Sequence, residues 1–167
     1  MGQVLKKFTN GFPGTPSRTG DEIIITMKNG SEEDIPSGAP VFLMSNGACE
    51  PFDSSSPQEF DSFVGFAVRV PDKTADTVVT GQFDANPPSA WHPGEVMEVL
   101  VRGAIALTFL ASSGRGAKVY LRKSDGKLTT SAGTSGTSIE LENVRVRNEA
   151  GAANGVAEAI VIRRNIL

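Results

Sequence analysis

Residues 95–110 read EVMEVLVRGAIALTFL, the strongest apolar patterning in the chain. Met97, Val99 and Val101 fall on one face of an extended strand, and Val96, Glu98, Leu100 and Arg102 on the other. Successive side chains of a β-strand leave opposite faces, so this period of two reads as strand. Gly103 interrupts the run, and Ile105, Leu107 and Phe109 resume the alternation. Either two strands meet at Arg102-Gly103, or one long strand carries a bulge there. Both readings centre the core on this stretch.

Working outward, residues 63–70 give the clearest alternation, with Val64, Phe66, Val68 and Val70 set against Phe63, Gly65, Ala67 and Arg69. Shorter β-rich runs fall at residues 23–27, 40–44, 77–83, 119–122, 128–130, 139–141, 144–146 and 157–162. Turn residues separate them, the pattern of a sandwich or barrel. Asn29-Gly30, Asp125-Gly126 and Asn154-Gly155 mark turns. The first two predict hairpins, since both central positions of a type I′ turn need positive φ. The return strand after Asn29-Gly30 runs toward Ile35 and is weakened by Glu32, Glu33 and Asp34. No ten residues form a helical stripe. The fold class is therefore all-β, a compact β-barrel or β-sandwich over residues 21–167, with an extended N-terminal arm over residues 1–20.

The arm carries Gly11, Pro13, Gly14, Pro16 and Gly20, and no regular period. Its Val4, Leu5, Phe8 and Phe12 are too sparse for a core of their own and too apolar for a solvating tail. Such a segment either covers a seam of its own subunit or docks on a neighbour, as extended chain commonly does.

Composition narrows the chemistry. A chain of 167 residues fits one domain with an arm. Sixteen Lys and Arg against 19 Asp and Glu leave a net charge of -3, so no excess of cations awaits a nucleic-acid backbone. The longest apolar run, residues 104–111, contains Thr108 and falls far short of the ~20 residues that cross a bilayer, so no membrane partner is expected. No apolar stretch follows Lys6 and Lys7, so no signal peptide is expected; one cysteine suits synthesis in a reducing cytoplasm.

One cysteine, Cys49, and one histidine, His92, leave little for a metal site, and no cofactor is expected. The pair could be a thiolate nucleophile with its base, but Glu50 beside Cys49 raises the thiol pKa, and a buried thiol with a loop histidine is the better reading. Gly114-Arg115-Gly116-Ala117-Lys118 lacks the spacing and the Ser or Thr of a phosphate-binding loop. Glu32, Glu33 and Asp34 are adjacent rather than alternate, which suits a solvated edge better than a calcium loop. Trp91, in Trp91-His92-Pro93-Gly94, reads equally as a binding anchor or as a lid on the end of the barrel.

Several segments in order resemble a known family. They are Phe12-Pro13-Gly14 with Ser17-Arg18, FVGFAVR at residues 63–69, VLVRGAI at residues 99–105, and KVYLRK at residues 118–123 with Asp125-Gly126-Lys127. From about residue 10 to its end the chain resembles the head decoration, or capsid cement, proteins of tailed bacteriophages. The resemblance implies a small β subunit on the outer surface of an expanded virion head, where it cements neighbouring copies of the major capsid protein against genome pressure. It also implies a homotrimer near local three-fold axes, and it brings no catalytic residues. On this reading Phe8, Phe12, Pro13 and Arg18 of the arm contact the shell or a neighbouring subunit, and Trp91 and His92 offer a further loop contact. The alternative is a β-structured tail or spike component, or a host-surface binding module, whose loops around Trp91 and residues 131–138 meet a receptor.

Overall fold

The computed structural model describes residues 11–17, 20–70, 89–149 and 153–165. The strand expected over residues 77–83 lies outside them. Of the two readings of Gly103, the bulge holds: β7 (Val96–Phe109) is one unbroken strand. Its neighbour β1 (Ile23–Lys28) pairs Ile24 with Leu100 and Ile23 with Arg102, so Val101 is the extra residue. Gly103 follows at φ +116°, a backbone that only glycine adopts readily.

The bulge inverts the faces of the strand. Met97, Val99 and Val101 enter one core, whereas Ile105, Leu107 and Phe109, of the same parity, enter another together with Leu100. A strict period of two would have kept them on one side.

The second half of β7 belongs to a closed β-barrel. It pairs with β11 (Gly155–Val161), β11 with β10 (Ser138–Val146), and β10 with β8 (Lys118–Arg122). From β8 the ring passes to β9 (Leu128–Thr129), which returns to β7 through Leu128 and Phe109. Closure removes the free edges that open sheets must otherwise protect. Phe109, Leu121, Leu141 and Val161 fill the interior, and Phe42, Phe63 and Phe66 pack into the same core. Phe63 meets Phe66 edge-on at 5.3 Å between ring centroids, a favoured aromatic geometry.

The first half of β7 carries a wing. β1 lies on one edge and β5 (Phe63–Ala67) on the other, followed by β3 (Pro40–Leu43) and β4 (Cys49–Pro51). Under this wing Val41, Cys49, Met97 and Val99 form the second core, joined by Ile35 from β2 (Ile35–Pro36) and Trp91 from β6 (Ala90–Trp91).

Two local expectations are corrected. Val64 does not share a face with Phe66 and Val68: it enters the second core and they enter the first. Val41 pairs with Gly65 but Phe42 with Phe63, so Val64 is a bulge residue that resets the alternation. Nor is Asn29-Gly30 a hairpin tip, since β1 pairs with β7, and β2 pairs with β6. The Asn29 side chain is buried instead, where Nδ2 donates to the carbonyls of Glu33 and Trp91 and Oδ1 accepts from Ser31. These bonds give the backbone at Asn29 an alternative to a two-residue turn.

Asp125-Gly126 does join β8 to β9, with Gly126 at φ +65°. Arg122 pairs with Asp125 across this turn and holds its carboxyl below the usual carboxylate range. The runs at residues 139–141 and 144–146 are a single strand, β10, with a register shift between Leu141 and Arg145.

β5 lies so close to β7 that a Cβ on Gly65 would stand 2.1 Å from the Leu100 carbonyl oxygen. Gly65→Ala should therefore lower stability by about 1–3 kcal/mol or more, through forced separation of two central strands. Gly114→Ala, where a Cβ meets nothing within 4 Å, should stay within about 0.5 kcal/mol of the parent. Chemical denaturation of the two variants measures the contrast.

Candidate functional site

The described part of the arm lies on its own subunit. Pro16 bridges Ile105, which on its other side pairs with Ala159 of β11, so the arm occupies the β7 edge opposite β11. β9 reaches the same edge at Phe109. Gly14 N–H donates to Ala106 O at 2.8 Å, Ala106 N–H to Thr15 O at 3.0 Å, and Ser17 N–H to Ala104 O at 3.0 Å. Arg69 N–H donates to Gly14 O at 2.8 Å, which ties the end of the β5 segment to the arm.

Glycine permits this contact. A Cβ on Gly14 would stand 2.7 Å from Gly38 N, and one on Gly38 would stand 2.9 Å from Gly14 N. Two bare backbones meet there. Beside them Pro13 lines a cleft of about 360 Å³ with Pro36, Pro40, Thr108 and Leu128. Phe12 is 44% exposed and receives the Arg69 guanidinium 4.6 Å from its ring centroid, a cation–π contact.

Sequence reasoning missed Glu158. Ala157, Ala159 and Val161 fill the barrel, so Glu158 leaves β11 on the outer face, yet it is only 4% exposed. Ser17 Oγ donates to its Oε1 at 2.7 Å, and Asn148 Nδ2 to its Oε2 at 2.8 Å. A buried carboxylate needs such donors, and one of them comes from the arm. The only signal in the sequence was an acid standing alone inside an apolar run.

Of the residues expected to make contacts, Phe8 and Arg18 lie outside the described residues. Pro13 lines the cleft, and its neighbour Phe12 stacks under Arg69. Trp91 is elsewhere: it is 5% exposed in the second core, and its indole N–H donates to Val68 O at 3.0 Å. Trp91 therefore packs under the wing rather than over the end of the barrel. His92 is exposed, with Nδ1 2.8 Å from Asp34 Oδ1 and its backbone N–H donating to Glu95 Oε2. Glu32, Glu33 and Asp34 are all exposed.

Cys49 and His92 do not form a dyad. The Cys49 thiol is fully buried and donates to Lys28 O at 3.4 Å. Burial pushes its pKa up to about 11, with a smaller push from Glu50. Among the described residues, no three His, Cys, Asp or Glu side chains group as a metal site, and no helix is long and apolar enough to cross a membrane.

The geometry is that of a binding scaffold: a closed barrel, a wing, and an arm fastened across the seam between them. A family model described as structural cement protein (E217 gp24/Pam3 gp6) matches residues 2–161. The chain belongs to that family of capsid-stabilising structural proteins of bacteriophage virions. Among solved structures it is similar to a chain in the capsid of Myoviridae phage XM1, with a TM-score of 0.68 and 18% identity over 96% of this chain and 95% of that one. A weaker likeness links it to the head fiber gp8.5 N base of bacteriophage phi29, with a TM-score of 0.42 and 9% identity over 87% of this chain and 99% of that one. No curated protein matches.

Two results should follow from this site. Glu158→Ala should cost about 1.5–3 kcal/mol by removing a charged acceptor, and should speed amide exchange at Gly14, Thr15 and Ser17. Cys49 should resist thiol reagents in the folded chain. Its raised pKa means that the folded state holds the proton where the unfolded state, near 9.0, releases it. The stability this contributes is full below pH 9 and lost as pH rises toward about 11. Cys49→Ala should flatten that alkaline decline in a pH series of denaturation midpoints.

Proposed function

We propose that the protein binds the outer surface of the expanded phage head and cements neighbouring copies of the major capsid protein against internal genome pressure. The match of the cement family across residues 2–161 carries this reading. The mechanism is mechanical. A pressurised shell fails where subunits separate, and a protein that touches several of them adds free energy that must be lost before they part. The working unit is a homotrimer near local three-fold axes. Three linked copies make later contacts effectively intramolecular, so weak individual sites still give slow release.

The contact surface is the arm with Phe8, Phe12, Pro13 and Arg18, beside the cleft that Pro13 lines. Phe12 with Arg69 over its ring offers an exposed aromatic and cation, types that often anchor interfaces. The loop at Trp91 and His92 gives a secondary contact, presented by the exposed His92 since Trp91 is buried. The protein acts by shape and avidity rather than catalysis, without cofactor, nucleic acid or membrane as partner. It is made in the host cytoplasm and joins the virion from outside.

Purified expanded heads lacking the protein should bind it saturably at symmetric sites. Removal of residues 1–10, which spares the hydrogen bonds of residues 14–17 to β7, should leave the barrel folded and weaken binding at least tenfold. Phe12→Ala should weaken it about five- to thirtyfold, as an interface aromatic does. Unchanged occupancy of both variants removes the arm from the mechanism. Absence of any binding to heads, with attachment to tails or host surface instead, rejects the cement reading.

A further inference from the structure

β1 presents a sheet edge that pairs with nothing among the described residues, since its only strand partner is β7. Natural edges are usually blunted by Pro, by inward charges or by shortness. This one is not. It reads IIITMK, and Ile23 and Ile24 are 42% and 38% exposed.

The direction of its peptide groups follows from the neighbouring bonds. Asn29 N–H donates to Glu95 O, while Glu98 O accepts from Val68 on the opposite edge. Odd residues in this part of β7 therefore turn toward β1. Through the pairs Met27 with Met97 and Ile25 with Val99, the odd residues of β1 turn inward. Ile24 and Thr26 turn their N–H and C=O outward, where they can join another strand.

We propose that this edge pairs antiparallel with the β1 edge of a second copy, about a two-fold axis through Ile25. In that register Ile24 and Thr26 of each copy exchange peptide hydrogen bonds with Thr26 and Ile24 of the other. Ile23 lies opposite Met27, and Glu22 opposite Lys28, so an acid meets a base at both ends. Asp21 is already held by Arg102 at 3.0 Å. An axis through Ile24 would set Glu22 against Thr26, and one through Thr26 would set Lys28 against Ile24; neither matches the charges. A neighbour's arm fits less well, because residues 1–10 contain Lys6 and Lys7 but no acid to meet Lys28.

One strand pair falls well below the ~1,200 Å² that a stable interface buries, so the contact needs copies held close together. If the copies are grouped as the cement reading has them, two-fold pairing through this edge would tie one group to the next. The local concentration rests on the cement reading; the pairing itself does not.

Ile25→Cys tests the register. Non-hydrogen-bonded antiparallel partners hold their Cα atoms ~4.5 Å apart, within reach of a disulfide. At millimolar concentration under mild oxidation this variant should give a dimer on a non-reducing denaturing gel at least tenfold faster than Ile24→Cys or Thr26→Cys. Cys49 is buried and does not compete. Because Ile25 also packs on the second core, a charge series gives a second reading. Glu22→Lys and Lys28→Glu should each weaken self-association about fivefold in sedimentation, and the two together should restore it. Equal cross-linking at positions 24, 25 and 26, or no rescue by the double exchange, overturns the proposal. So does a cross-link from position 25 to an arm cysteine placed at Val4 or Phe8. Head occupancy is measured separately, so failure there with the 25–25 link intact strikes the cement reading alone.

Discussion

The bulge at Val101-Gly103 is the constraint on which the rest of the molecule depends. A β-strand can bury both faces, but it cannot by itself hand the same parity of side chains to two different cores. One extra residue does so here: Met97, Val99 and Val101 serve the wing, and Ile105, Leu107 and Phe109 serve the barrel. The inversion needs close approach. A Cβ on Gly103 would stand 2.8 Å from Glu22 Cα, so glycine lets the chain entering β1 cross directly over the bulge. Because β7 runs through without a break, wing and barrel share one hydrogen-bonded spine. Force applied to the wing reaches the barrel through a packed strand rather than a hinge, which suits a protein that must resist separation.

Long-range pairing explains why the sequence was legible in some places and opaque in others. The alternation in residues 95–110 was readable because it depends on one strand and its burial. Its inversion at Gly103 was not, since the bulge exists only relative to β1. Val64 is the same case, displaced by a mismatch with β3 some twenty residues away. Asp125-Gly126 succeeded because the turn closes on its own neighbours. Asn29-Gly30 failed because Trp91, distant in sequence, offers Asn29 a better hydrogen bond.

The candidate site divides along the same line. Phe12 and Pro13 could be singled out from an apolar segment unable to fold alone; Pro13 lines a cleft and Phe12 meets Arg69. Glu158 could not, because one of the donors to its buried carboxylate is Ser17, from the far end of the chain. The sole tryptophan was ambiguous in sequence; its indole bond to Val68 explains its burial, for an indole N–H placed in a core requires an acceptor.

Residues 11–17 fasten the start of the described chain to its central strand. Of these, residues 14–17 use the bare backbone of Gly14 against Gly38 to reach an edge of β7 that neither β5 nor β9 covers. The fastening fixes the position of residue 11 on the barrel, and in the proposed cement mechanism this sets the origin from which residues 1–10 make their contact. An extended chain gains ~3.3 Å per residue, so such a segment spans up to ~33 Å, more than the width of a small domain. A fixed origin restricts the volume the segment must search, and that raises its effective concentration at a neighbouring site. In that proposal, firm docking of residues 14–17 favours binding by residues 1–10 without any added contact at the distant end.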